Sequence, residues 1–125
     1  MSLKNITLEL ARDRDFPNGS AEHGYRFTAP LDATGHIDPE EWRKHRKYCR
    51  VVRFWGDEED EVGHLIRKPG GSWAFHYDIH GDEDDDEAGY RFGKESFNPG
   101  EYVSIKDHDG HMRTFKVIMV REVYV

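Results

Sequence analysis

The stretch VGHLIRKPGGSWAFHYDIH, Val62 to His80, decides how this chain is read. In its second half Trp73, Phe75, Tyr77 and Ile79 alternate with Ala74, His76, Asp78 and His80. That period of two turns successive side chains of a β-strand to opposite faces, and the aromatic set is the core face. The turn before it selects the partner strand. A two-residue type II Pro-Gly turn would splay a hairpin, whereas a three-residue loop Pro69-Gly70-Gly71, with Gly71 left-handed, matches strand twist. Lys68 then pairs with Ser72, Leu65 opposes Phe75 on the core face, His64 opposes His76 on the other face, and Val62 opposes Asp78. A slip of one residue would turn His64 into the core, against the pattern.

The same patterning extends along the chain. Ile6, Leu8 and Leu10 alternate with Thr7 and Glu9 as a first strand, and after turn residues Phe16 to Ser20 a second strand runs from Gly24 to Thr28, ahead of Pro30. Asp38 as cap, Pro39 at the first helical position and Glu41 three residues after the cap predict a short helix from Pro39 to about Lys47. The run YCRVVRFW, Tyr48 to Trp55, has apolar residues on both faces and reads as a central strand with only its arginines reaching outward. The last hairpin joins Glu101–Asp107 to Met112–Arg121. Its apolar residues fall in phase only if the loop has an odd number of residues, with Gly110 supplying the positive φ. These elements predict one mainly β domain over residues 1–125, a small antiparallel barrel or sandwich of about seven strands with one short helix.

Composition agrees. A chain of 125 residues can bury one core, and with 36% hydrophobic residues that core depends on its seven Phe, six Tyr and three Trp. The start MSLKNITLELARD is too short and too interrupted by charge for a secretory or membrane-spanning segment, so the expectation is a soluble, cytoplasmic protein without a membrane partner. Cys49 is the single cysteine; it excludes an internal disulfide and reads as a small core residue. The net charge of -7 is uneven: Asp57 to Glu61 and Asp82 to Glu87 hold 11 of the 25 acids, and the remainder is mildly basic. Both acidic runs read as solvated hairpin tips. From Asp82, the sixth and twelfth positions hold Glu87 and Gly93, which does not fit a calcium-binding EF-hand loop. The tetrapeptide Gly24-Tyr25-Arg26-Phe27 recurs as Gly89-Tyr90-Arg91-Phe92, too few copies for a repeat architecture.

Function is less legible. His64, His76, Asp78 and His80 share one face of the hairpin, and neutral imidazole with carboxylate suits a divalent transition metal such as zinc, which could in turn serve a metal-dependent enzyme. Arg43, Lys44, Arg46, Lys47, Arg50 and Arg53 concentrate near Trp42 and Tyr48, the composition of a phosphate-tracking surface. No residues have the context of a nucleophile elbow or a phosphate-cradling loop, and no catalytic residue is assigned. The leading expectation is a noncatalytic binding or interaction module with a protein partner. Metal binding ranks second and nucleic-acid binding third, and two copies could pair through an exposed strand edge.

Overall fold

The computed structural model describes residues 3–78, 86–89, 92–107 and 109–124. Eight antiparallel strands close into an up-and-down barrel, each hydrogen-bonded to its sequence neighbours and the last to the first. They are β1 Leu3–Leu10, β2 Ser20–Pro30, β3 Arg50–Trp55, β4 Glu61–Arg67, β5 Trp73–Tyr77, β6 Glu87–Gly89, β7 Tyr102–Lys106 and β8 Met112–Val123. Between β2 and β3 lie the helix α1, Pro39–His45, and a 3-10 turn, Arg46–Tyr48. The strand absent from the sequence reading is β6, which lies at the end of a run taken for a solvated tip. Closure pairs β1 with β8 from Leu3↔Val123 to Leu10↔Phe115, so among the described residues each strand has a neighbour on both sides, the β6–β7 contact being reduced to Ala88↔Lys106. No described helix is long and apolar enough to cross a membrane.

The alternation in sequence explains which side chains fill the barrel. Ile6, Leu8, Tyr25, Phe27, Val51, Leu65, Phe75, Val103, Ile105, Phe115 and Val117 point inward and are buried. An eight-stranded barrel is just wide enough for side chains to fill it, and here rings do so. Phe27, Phe75, Phe92 and Phe97 interlock with centroids 5.1 to 6.1 Å apart. One end is stoppered by α1. The Asp38 carboxylate accepts from the Glu40 and Glu41 amides, starting a helix that drives Trp42 inward, where Nε1 donates to the Leu65 carbonyl at 3.0 Å and the ring meets Trp73 edge-on at 5.2 Å. At the other end the 11–19 segment lays Phe16 against His23 and Trp55.

The decisive hairpin has the expected register: Lys68 N–H donates to the Ser72 carbonyl, Leu65 faces Phe75, His64 faces His76, and Asp78 N–H donates to the Val62 carbonyl. Gly70 and Gly71 both adopt positive φ, 93° and 91°. Ala74 keeps the face opposite Phe75 and is buried there. One correction accompanies this agreement. Arg53 does not reach outward: β3 alternates Val51, Arg53 and Trp55 inward with Arg50, Val52 and Phe54 outward, and Arg53 is 4% exposed.

A second repetition emerges from the turns. Asp32 to His36 and Asp107 to His111 share the spacing Asp, two residues, Gly, His. In both, the Asp carboxylate accepts the amides two and four residues on, and its own N–H donates to the His carbonyl. The glycine holds φ at 88° in one and 84° in the other. The second loop is the odd-length turn predicted for the last hairpin. The repeated tetrapeptide cannot be compared in the same way, because Tyr90 and Arg91 lie outside the described residues.

Candidate functional site

On the outer wall β3, β4 and β5 bring Arg50, His64 and His76 into one row, through the pairs Arg50↔His64 and His64↔His76. The Arg50 guanidinium contacts His64 Nε2 at 3.0 Å and donates to Asp78 Oδ2 at 3.0 Å, while His64 Nδ1 lies 3.1 Å from Asp78 Oδ1. A guanidinium only donates, so Nε2 of His64 accepts and Nδ1–H donates to Asp78. Asp78, expected as a metal ligand, therefore bridges an arginine and a histidine. His76 has a carboxylate of its own: Nδ1 lies 2.6 Å from Asp86 Oδ1, and the other oxygen of Asp86 is 3.0 Å from Lys68 Nζ. Asp86 is 4% exposed at its side chain, far from the solvated state expected of the acidic run. His80 lies outside the described residues.

The basic cluster is divided among local partners. Arg43 pairs with Glu40 and Lys44 with Glu41 across single helical turns, Lys47 lies over the Tyr48 ring, and Arg50 is held by Asp78. Arg46 is exposed, and Arg53 faces the interior.

That interior contains a polar centre the sequence reading missed. Glu87 is wholly buried. Its Oε1 accepts from the Tyr25 hydroxyl at 2.8 Å and the Tyr77 hydroxyl at 2.5 Å, and its Oε2 lies 3.5 Å from Arg53 Nε. Arg53 continues to Glu61 at 3.3 Å and stacks on Trp55 at 4.4 Å, linking the centre of the barrel to its mouth. Burial and then the negative charge of Glu87 push the Tyr25 hydroxyl well above its ordinary range. Burial, Tyr25 and Glu87 do the same to Tyr77. The available signal was positional: Arg53 shares parity with Val51 and Trp55, and Glu87 adjoins the small pair Ala88-Gly89 that a crowded strand requires.

At the mouth Arg113 gathers three carboxylates, from Asp13 at 2.9 Å, Asp15 at 3.2 Å and Asp107 at 3.1 Å. Burial works against the Asp107 charge, but the His111 amide and Arg113 outweigh it and hold its carboxyl below the ordinary range. Asp107, Asp109 and His111 are the one group of three metal-ligating side chains found within 4.8 Å of one another among the described residues. There the Asp107 carboxylate already serves two turn amides and Arg113.

Outside the barrel, two irregularities open a groove of about 650 Å³. β2 shifts register between Glu9↔Gly24 and Leu10↔Ser20, and the β1–β8 pairing steps from Thr7↔Met119 to Leu8↔Val117, leaving Ile118 as the extra residue of a bulge. The groove is lined in part by Glu9, Arg12, Ser20, Tyr102, Lys116 and Ile118. Tyr102 is 57% exposed and Ile118 40%, with Met119 alongside at 45%. Family models, curated proteins and solved structures were each compared with the chain, and none matches it.

Proposed function

We propose that this protein is a noncatalytic binding module that docks a short peptide segment of a partner protein in the groove beside β7 and β8. The observation carrying this reading is the pair Tyr102 and Ile118, large apolar side chains lining the groove and held out to solvent, with Met119 next to Ile118 in the chain, on a barrel whose interior is already filled with its own rings. Exposed apolar side chains grouped beside polar ones mark contact surfaces, and tyrosine is enriched among the residues that dominate such contacts. The groove is within the usual size of a recognition cleft. Arg12, Lys116 and Glu9 lie among its lining, with Glu9 opposite Lys116 across the β1–β8 pair, so one basic charge is left over and the favoured occupant presents an apolar side chain next to a carboxylate.

Selection from a displayed peptide library tests this. Enriched peptides should carry an apolar residue beside an acid, and Tyr102→Ala and Ile118→Ser should each weaken their binding about tenfold or more, the usual effect of losing a contact anchor. Failure to enrich any sequence, binding unaffected by both substitutions, or self-association through this face would overturn the proposal.

A further inference from the structure

We propose that His64 and His76 form a two-imidazole site for a divalent transition-metal ion on the β4–β5 wall, with Asp78 and Asp86 orienting the ligands. The two histidines are direct cross-strand partners. In such a pair the Cβ atoms are about 5 Å apart, a separation at which two rings can converge on one ion with metal–nitrogen bonds of about 2.0 to 2.1 Å.

Each imidazole is tied at Nδ1 to a different carboxylate, His64 to Asp78 at 3.1 Å and His76 to Asp86 at 2.6 Å. That leaves Nε2 as the ligating atom of both. A carboxylate on the distal nitrogen fixes tautomer and ring orientation and raises ligand basicity, the arrangement commonly found behind histidine ligands of metals. Asp86 is nearly buried and is also braced by Lys68, so the His76 ring is held from behind. The backbones beneath are held close by Gly63, where a Cβ would run into the His76 carbonyl.

The two nitrogens differ in availability. Among the described residues nothing hydrogen-bonds to Nε2 of His76, whereas Nε2 of His64 accepts from Arg50. An arriving ion takes that lone pair, and Arg50 withdraws onto Asp78 Oδ2, which it already contacts. Arg50 is therefore a competitor for the site, both as a donor to the ligand atom and as a nearby positive charge. Two imidazoles leave the remaining coordination positions to water or to a ligand from outside. The ligand chemistry favours zinc, nickel or copper over calcium and magnesium, which take oxygen. This site is on different strands from the peptide groove and does not depend on it.

The test is calorimetric titration of the full chain with zinc and nickel chlorides near neutral pH in a non-chelating buffer, with circular dichroism and thermal melts to verify that each variant is folded. The expected result is saturable binding of one ion per chain. His64→Ala and His76→Ala should each lower affinity by at least about tenfold, and Asp86→Asn should lower it by about 10- to 100-fold while leaving both ligands in place. Arg50→Ala should raise affinity, which no merely structural role of that arginine would produce. Absence of saturable binding up to about 1 mM metal, a limit equivalent to about 4 kcal/mol of binding free energy, would overturn the proposal. So would binding that survives both histidine substitutions, or an Arg50→Ala variant that binds more weakly.

Discussion

Raising the pH should unfold this barrel from within. Tyr25 and Tyr77 are buried with hydroxyls donated to Glu87, and both are held neutral well above the ordinary tyrosine range. The unfolded chain releases those protons at about pH 10 while the folded chain keeps them, so the native state binds more protons and stability falls as pH rises. Each group contributes on the order of 1 kcal/mol per pH unit above its unfolded value, giving about 3 kcal/mol per unit for the pair. Cys49, also buried, is pushed up to about 12 by desolvation and adds a third contribution of the same sign from about pH 9 upward. By pH 11 the pair and the thiol together remove about 5 kcal/mol, comparable to the whole stability of a modest domain. The assay is urea denaturation at a series of pH values between about 8 and 11.5, followed in parallel by tyrosinate absorbance. Tyr25→Phe and Tyr77→Phe should each flatten the pH slope by about one group and remove absorbance only from the phase coincident with unfolding. If either variant loses absorbance from an earlier phase while the protein is folded, or keeps the wild-type slope, the buried hydrogen-bonded tyrosines are wrongly described.

Three further outcomes follow from the same geometry. Arg53→Met and Glu87→Gln, measured singly and together by denaturation, should show a coupling of about 1 to 3 kcal/mol, and additivity within about 0.5 kcal/mol would mean that the two do not interact across the barrel. Asp107→Ala should cost about 3 kcal/mol, since it strips two turn amides of their acceptor and Arg113 of one of its three carboxylates. Because the Asp107 carboxyl is held below its ordinary range, its contribution is present above that range and lost as pH falls through its folded value; a wild-type advantage over Asp107→Asn that persists undiminished in acid would contradict this. Hydrogen exchange should be fastest at the β6–β7 seam, which among the described residues rests on the pair Ala88↔Lys106 and on the Ser104 amide donating to Glu95, and uniform protection around the barrel would refute a weak seam.

The parts of this structure legible in sequence were those carried by local pattern. Alternation over Trp73 to Tyr77 and the odd-length loop fixed which faces met, because a slip of one residue inverts every side chain. Asp38 and Pro39 marked the start of α1 for reasons contained in four residues. Long-range compensation of charge was not legible. Arg53 in an apolar strand and Glu87 at the end of six acids each look solvent-bound alone, and only the closed barrel brings them within 3.5 Å, with two tyrosines to complete the centre. At the histidine face the pairing of His64 with His76 could be counted out from the turn. The capture of Asp78 by Arg50 depended on β3 as the neighbouring strand, and the approach of Asp86 on β6 pairing beside β5.

The barrel is filled with its own rings, and the proposed recognition belongs to its outer wall. Chemical-shift mapping with a library-selected peptide tests it directly. Perturbations should fall at Arg12, Tyr102, Lys116 and Ile118, with the rings of Phe27, Phe75 and Phe92 unmoved. Shifts concentrated on those buried rings instead would mean that the interior opens to take a ligand, and would contradict it.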